Sequence, residues 1–229
     1  MNINKYIASS GLTSRRGADE IIKEGRVKIN GRVATPIDKV GEYDQVFVDG
    51  KIIKLVEEKV YLVFNKPVGI ITTTDKRADD NIISYIHYRT RIFPVGRLDV
   101  NSSGLILLTN DGEIVNKILK GRGKIEKEYI VEVYRTITND LIVGLEAGII
   151  LDGFKTLPAK VKKISDKTMS ITIVEGKNRQ IRRMCELLGN PVVKLKRVRI
   201  GNLKLANLKE GEYVEIPADK IYELIGIEK

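Results

Sequence analysis

Leu55-Val56-Glu57-Glu58-Lys59-Val60-Tyr61-Leu62-Val63-Phe64-Asn65 divides the chain in two. The first five residues are a charged connector. At Val60 the sequence turns apolar and predicts a strand over 61–65, after which strands and helices are interspersed. Upstream, the pattern is that of a small ααββ unit. The chain therefore reads as two domains, residues 1–57 and 61–229.

In the smaller domain, a helix over 2–9 has Ile3, Tyr6 and Ile7 on one side, and Gly11 stops it. Ser14 is a suitable N-cap for a second helix reaching 24, with Gly25 as its C-terminal stop. Two hairpins follow, 27–29 with 32–34 across Asn30-Gly31, and 46–48 with 51–53 across Asp49-Gly50. Arg15 and Arg16 occupy the first turn of the second helix, beside the positive end of its dipole. Cations there cost a few tenths to about 1 kcal/mol each, and Asp19 and Glu20 compensate only in part. Two readings stay open: tolerated surface charge, or arginines and free helix N–H groups converging on a phosphate.

Composition narrows the function classes. The chain has 229 residues, 42% hydrophobic and 31% charged, a globular profile. No apolar run approaches the roughly 20 residues that cross a bilayer, and the first residues lack a signal-peptide core. The expectation is a cytoplasmic protein that does not engage membranes. One Cys and one His give no cluster for a zinc site and little support for a Ser–His or Cys–His nucleophile. His87 is expected at a helix end and Cys185 in the core. The formal net charge is +10, which suits a polyanionic partner. Between Ala159 and Lys204 there are 13 Lys or Arg against 3 Asp or Glu, a local excess equal to that of the whole chain. A second basic cluster near the N-terminus includes Arg15, Arg16, Arg26 and Arg32.

In the larger domain, strands are predicted over 61–65, 69–73, 105–109, 129–133, 161–164, 170–174, 192–198 and 213–216. Helices are predicted over 81–88, 112–119, 139–146, 179–188 and 219–225. Hairpin-like spacing with few βαβ crossovers predicts an α+β fold with a mostly antiparallel sheet. Between a short apolar stretch at 92–95 and the strand at 105–109 lies Gly96-Arg97-Leu98-Asp99-Val100-Asn101-Ser102-Ser103-Gly104-Leu105. Glycines bracket it, so it is a loop whose backbone can approach a ligand closely. Taken alone, its Asp is most simply a turn residue.

Two resemblances change that reading. Ser14-Arg15-Arg16-x-Ala18-Asp19-x-Ile21-Ile22-x-x-Gly25-Arg26-Val27-x-Ile29-Asn30-Gly31 resembles the S4 RNA-binding module, although Gly17 is small for a helix interior. Gly96–Leu105 resembles the active-site motif of the RsuA-type pseudouridine synthases. Other motifs of that family follow in order: Asn65-Lys66-Pro67-x-Gly69, Lys127-Glu128-Tyr129, Glu175-Gly176-Lys177-Asn178-Arg179-Gln180-Ile181-Arg182-Arg183-Met184, and Lys194-Leu195-x-Arg197-x-Arg199-Ile200-Gly201. The Asn-Arg-Gln-Ile-Arg-Arg-Met segment is nearest the large-subunit ribosomal RNA members of the RluF group. Val100 and Asn101 look more like the RluB group.

The resemblance implies an isomerase that detaches uracil from C1′ of a uridine, turns it, and rejoins it through C5, with no cofactor and no metal. Asp99 is implied as the essential carboxylate, Arg182 as its cationic partner and Tyr129 as the ring against the uracil. Leu98, Ile181, Leu195 and Leu203 would wall the base pocket. Arg97, Leu98, Val100, Asn178, Arg179, Gln180 and Ile181, with Arg15, Arg16 and Arg26 of the first domain, would contact RNA. A carboxylate beside an anomeric carbon could act as nucleophile, as electrostatic stabiliser or as base, and these roles stay open. The implied partner is ribosomal RNA of the large subunit, with transfer RNA as the other target, acted on by a monomer. The rival reading is a non-catalytic S4-domain RNA-binding or ribosome-assembly factor. A DNA-binding protein is disfavoured because nothing resembles a recognition helix.

Overall fold

The computed structural model describes residues 1–75, 77–120 and 125–228, with the backbone alone at Lys120. Lys229, the end of the second predicted domain, lies outside the described residues. The chain divides into two units: Met1–Lys59 with Tyr88–Ile92 and Asn110–Gly112, and Val60–His87 with Phe93–Thr109 and Glu113–Lys229.

The first unit carries α1 (Ile3–Ser9), α2 (Arg15–Lys23), β1 (Val27–Ile29), β2 (Arg32–Val33), β3 (Val46–Val48) and β4 (Lys51–Ile53). Ser14 caps α2, its hydroxyl accepting from Gly17 N at 3.0 Å. A Cβ on Gly17 would collide with Thr13 Oγ1, which accounts for glycine inside a helix. Both tight turns form as predicted. Asn30-Gly31 and Asp49-Gly50 all have positive φ, as two-residue hairpins of type I′ require. The sheet order is β2-β1-β3-β4, and Ile3, Ile7, Ala18, Ile22, Val27 and Val46 fill the core.

The second unit begins with β5 (Tyr61–Lys66), α3 (Ile82–Ile86), β6 (Phe93–Pro94), β7 (Ser103–Thr109), α4 (Gly112–Lys120) and β8 (Lys127–Val133). It continues through α5 (Asn139–Ala147), β9 (Ile150–Leu151), β10 (Phe154–Lys155), β11 (Lys160–Lys163), β12 (Thr168–Ile173) and α6 (Gln180–Leu187). It ends with β13 (Val192–Ile200), β14 (Leu203–Lys204), β15 (Tyr213–Glu215) and α7 (Ile221–Ile225). The main sheet runs β11-β12-β8-β13-β7-β5-β15, with β14 on β13 and β6 on β7. Its ladders are antiparallel except β13 with β7, which is parallel, so the α+β expectation holds. Strands β5 and β7 are buried on both faces. Leu105, Ile106, Leu107 and Leu108 are each at most 1% exposed, and side chains of this kind contribute about 1.5–3 kcal/mol apiece on burial. No helix among the described residues is long and apolar enough to cross a membrane.

Three departures from the sequence reading have local causes. The stretch 69–73 is no strand: Pro67 lacks an N–H, Gly69 turns the chain at φ +95, and Ile71 makes a single bridge to Asn81. Asn81 is the cap of α3 rather than part of it, its side chain accepting from Ile83 N and Ser84 N. The hairpin β9–β10 escaped the sequence reading because each arm has only two residues. His87 ends α3 in the left-handed region, at φ 48. Cys185 is fully buried, and burial pushes its thiol up to about 12.

Candidate active site

Asp99 stands between β6 and β7, in a loop whose four consecutive carbonyls are all held. The Leu98 oxygen accepts from Thr72 Oγ1 at 2.8 Å and the Asp99 oxygen from Ser102 N at 3.0 Å. The Val100 oxygen accepts from Gly69 N at 2.9 Å, and the Asn101 oxygen from Arg182 Nη2 at 2.6 Å. A loop held at four carbonyls in a row has little freedom left there. Gly104 closes it: its φ is +104, and a Cβ there would run into the backbone of Arg197 on β13. Glycine is therefore needed where β7 and β13 pair.

The turn at 67–70 that supports Asp99 is itself tied down. Lys66, fully buried at the end of β5, donates to Pro67 O at 2.7 Å and Ile70 O at 2.8 Å. Burial pushes its ammonium down to about 8, against the opposing attraction of Glu210 and Asp99.

Asp99 opens onto a cleft of about 90 Å³ that is also lined by Leu98, Tyr129, Ile181 and Leu195. Leu98, Tyr129, Ile181 and Leu195 are each at least nine-tenths buried, so the cleft has apolar walls. Arg97, Lys177 and Arg179 add cations at its edge. Among the described residues the Asp99 carboxylate takes part in no hydrogen bond or ion pair.

The expected Asp99–Arg182 ion pair is thus absent. Arg182 binds the loop backbone instead, with further contacts to Ser102 Oγ at 3.3 Å and Val192 O at 3.4 Å. Its Nε is buried without a partner. Burial and then Arg179 lower its hold on the proton, while Asp99 acts in the opposite direction.

Of the residues singled out from sequence, Arg97, Leu98, Asp99, Tyr129, Arg179, Gln180, Ile181 and Leu195 share this cleft. Val100 and Asn178 are exposed outside it. Leu203 is not in its walls: paired on β14, it packs in the core with Tyr61, Leu105 and Ile200. Gln180 is 3% exposed. Its amide is engaged at both ends, accepting from Lys177 N at 3.0 Å and donating to Glu175 Oε1 at 2.7 Å, so it shapes the turn before α6. Arg179 caps α6 with left-handed backbone at φ 48.

In the first unit, Arg15 and Arg16 are exposed, whereas Arg26 is locked bidentately to Asp49 at 2.6 and 2.8 Å, with Glu24 at 2.9 Å. Thr72 and Ser102, which hold the loop, were missed as individual residues. A buried threonine hydroxyl serving a distant carbonyl leaves no periodic signature. Among the described residues no group of three or more His, Cys, Asp or Glu is placed to hold a metal ion.

A half-buried loop carboxylate, an aromatic ring and apolar walls at a cationic rim suit chemistry on a planar base carried by a polyanion. Comparison with known proteins agrees. Residues 60–187 match the RNA pseudouridylate synthase family and residues 1–46 the S4 domain. The chain is 45% identical to the dual-specificity RNA pseudouridine synthase RluF of Escherichia coli (strain K12), over 98% of this chain and 78% of that one. It is 41% identical to the ribosomal large subunit pseudouridine synthase B of Bacillus subtilis (strain 168), over 97% and 94%. A solved crystal structure of a pseudouridylate synthase superposes with a TM-score of 0.71 at 32% identity, covering 97% of this chain and 98% of that one. The chain belongs to the RNA pseudouridine synthase family, with an S4 domain at its N-terminal end.

Proposed function

We propose that this protein isomerises a uridine of ribosomal RNA to pseudouridine, with Asp99 as the reacting carboxylate. The observation that carries the proposal is the fixed Asp99 loop facing a cleft walled by Leu98, Tyr129, Ile181 and Leu195. The names of the Escherichia coli and Bacillus subtilis relatives support RNA, and large-subunit ribosomal RNA, as the substrate class. On this reading residues 1–57 are the RNA-docking module, presenting Arg15 and Arg16 to phosphates, and 61–229 the catalytic domain of a cytoplasmic monomer.

A uridine in folded RNA is stacked or paired, and its C1′ is out of reach. It is extruded into the cleft at a cost of a few kcal/mol, which phosphate contacts at Arg97, Lys177 and Arg179 offset. The uracil lies against Tyr129, and the Asp99 carboxylate meets the C1′ side of the ribose as the N1–C1′ bond breaks. Once the base fills the cleft, water is displaced and the charged carboxylate needs a cation. The Arg182 guanidinium, with Nε unengaged, answers that need, because an arginine stays charged and offers several donors. The detached uracil turns within the apolar walls and rejoins C1′ through C5; the C5 proton leaves last and N1 takes up a proton, so the product is an isomer of the uridine. Nothing is oxidised or reduced in this sequence.

The test is carbodiimide mapping of pseudouridine in ribosomal RNA from a strain lacking the protein, complemented with wild type or Asp99→Ala. One or more sites restored by wild type alone is the expected result. Equal restoration by both, or by neither, overturns the proposal.

A further inference from the structure

Arg97, Tyr129 and Gly176 line two cavities, not one. The second measures about 410 Å³, well above the 90 Å³ of the Asp99 cleft. Its walls are apolar at Val95, Ile118, Leu157 and Ile200 and cationic at Lys127 and Arg197.

On β8 alternation puts Glu128 on one face and Lys127 and Tyr129 on the other, and a register shift in β13 between Arg197 and Arg199 sets Arg197 opposite Tyr129 and Arg199 opposite Glu128. On one face Arg199 is neutralised by Glu128 at 2.8 Å and Glu126 at 3.1 Å, and Lys160 closes on Glu126 at 2.6 Å. On the other face stand Lys127 and Arg197, and among the described residues neither forms an ion pair. Arg197 is 3% exposed; its Nε donates to Leu105 O at 2.7 Å, and its Nη2 is buried with no partner. Lys127 Nζ donates to Ile125 O at 3.2 Å. Burial first, and Arg197 second, lower its hold on a proton. The carboxylate at this cavity, Glu175, has its Oε1 occupied by Leu157 N at 2.9 Å and Gln180 Nε2 at 2.7 Å. Two partly desolvated like charges are costly without an anion between them.

We infer that this cavity holds a nucleotide flanking the target uridine in the same RNA strand, its phosphate on Lys127 and Arg197 and its base on the apolar wall. The inference rests on the RNA reading above. A bare anion would satisfy the cations but not the aliphatic wall. An apolar ligand would leave Arg197 Nη2 and Lys127 unanswered. A phosphodiester carrying a base meets both needs, and the shared Arg97 and Tyr129 make the cavity the immediate neighbour of the site where the uridine reacts.

The test uses the full chain and a ribosomal RNA stem–loop that the wild type binds. A set of the same RNAs carries a single methylphosphonate at successive linkages around the target. Binding and pseudouridine yield are read on the same samples for wild type, Asp99→Ala, Lys127→Met and Leu119→Trp. The last fills the cavity from its rim, which half-exposed Leu119 lines, without removing a charge. We expect one methylphosphonate to weaken wild-type binding about tenfold, as loss of a charge-assisted contact does. Lys127→Met should weaken binding of the unmodified RNA by a similar factor and be indifferent to that one methylphosphonate. Leu119→Trp should also bind more weakly. If every methylphosphonate penalty persists in Lys127→Met, or if Lys127→Met and Leu119→Trp, each folded by circular dichroism, bind RNA within twofold of wild type, the inference is overturned. Failure of the catalytic reading appears separately, as product from Asp99→Ala or none from wild type, and leaves the binding comparison decisive for the cavity.

Discussion

Arg182 Nη2 donates to the carbonyl oxygen of Asn101 at 2.6 Å, so the guanidinium fixes the backbone two residues beyond Asp99 rather than the carboxylate itself. Both halves of the site are thereby joined, the loop before β7 and helix α6. A lysine cannot reproduce this fork, which spans Asn101, Ser102 and Val192 and leaves Nε in reserve. Arg182→Lys should therefore lower single-turnover pseudouridine formation about 100-fold or more while the melting temperature changes little. A rate within threefold of wild type would show that the fork is dispensable.

Lys66 should give stability an unusual pH dependence. Its ammonium is pushed down to about 8 in the folded chain, from 10.5. Between those values the unfolded chain holds more proton than the folded one, so stability rises with pH across that window. The full gain is on the order of 3 kcal/mol. Lys66→Met abolishes that gain and leaves Pro67 O and Ile70 O without their donor. Urea denaturation at pH 7.5 and pH 10 should show wild type gaining on the variant as pH rises. Parallel profiles would contradict the buried ammonium.

Gly104→Ala should be strongly destabilising, by about 3 kcal/mol or more, because the methyl group meets the backbone of Arg197 at a φ of +104. The damage falls on the parallel pairing of β7 with β13 and hence on the Asp99 loop. Chemical denaturation checks it; a loss below about 1 kcal/mol would mean that the two strands part easily.

Arg179→Gly should separate stability from function. A non-glycine residue in left-handed backbone costs roughly 1–2 kcal/mol, and Arg179 sits at φ 48. Glycine relieves that strain and removes a cation from the cleft's edge. We expect stability to rise by about 0.5–1 kcal/mol and KM for RNA to rise several-fold. A variant that is both less stable and equally tight in RNA binding would refute the assignment.

Much of the fold was legible because its signals are local. Ser14 and Gly25 marked the ends of α2, Asn30-Gly31 and Asp49-Gly50 set their turns, and unbroken apolar runs disclosed β5 and β7. The stretch 69–73 misled because its β-branched residues suit a strand, while Pro67 and Gly69 had already turned the chain. Leu203 misled because an apolar residue near a motif looks the same whether it lines a pocket or fills a core.

By itself the amino-acid sequence determined the two-part organisation, the α+β class and the order of motifs, since periodicity, capping and turn chemistry act over a few residues. Only the tertiary structure decided that Arg182 grips the Asp99 loop by its backbone, that Gln180 is consumed internally and that Arg26 is spent on Asp49. Those outcomes depend on which groups meet across distances of up to 81 positions in the chain. Hydrogen bonds and ion pairs are settled by a few ångströms of geometry that no local pattern encodes.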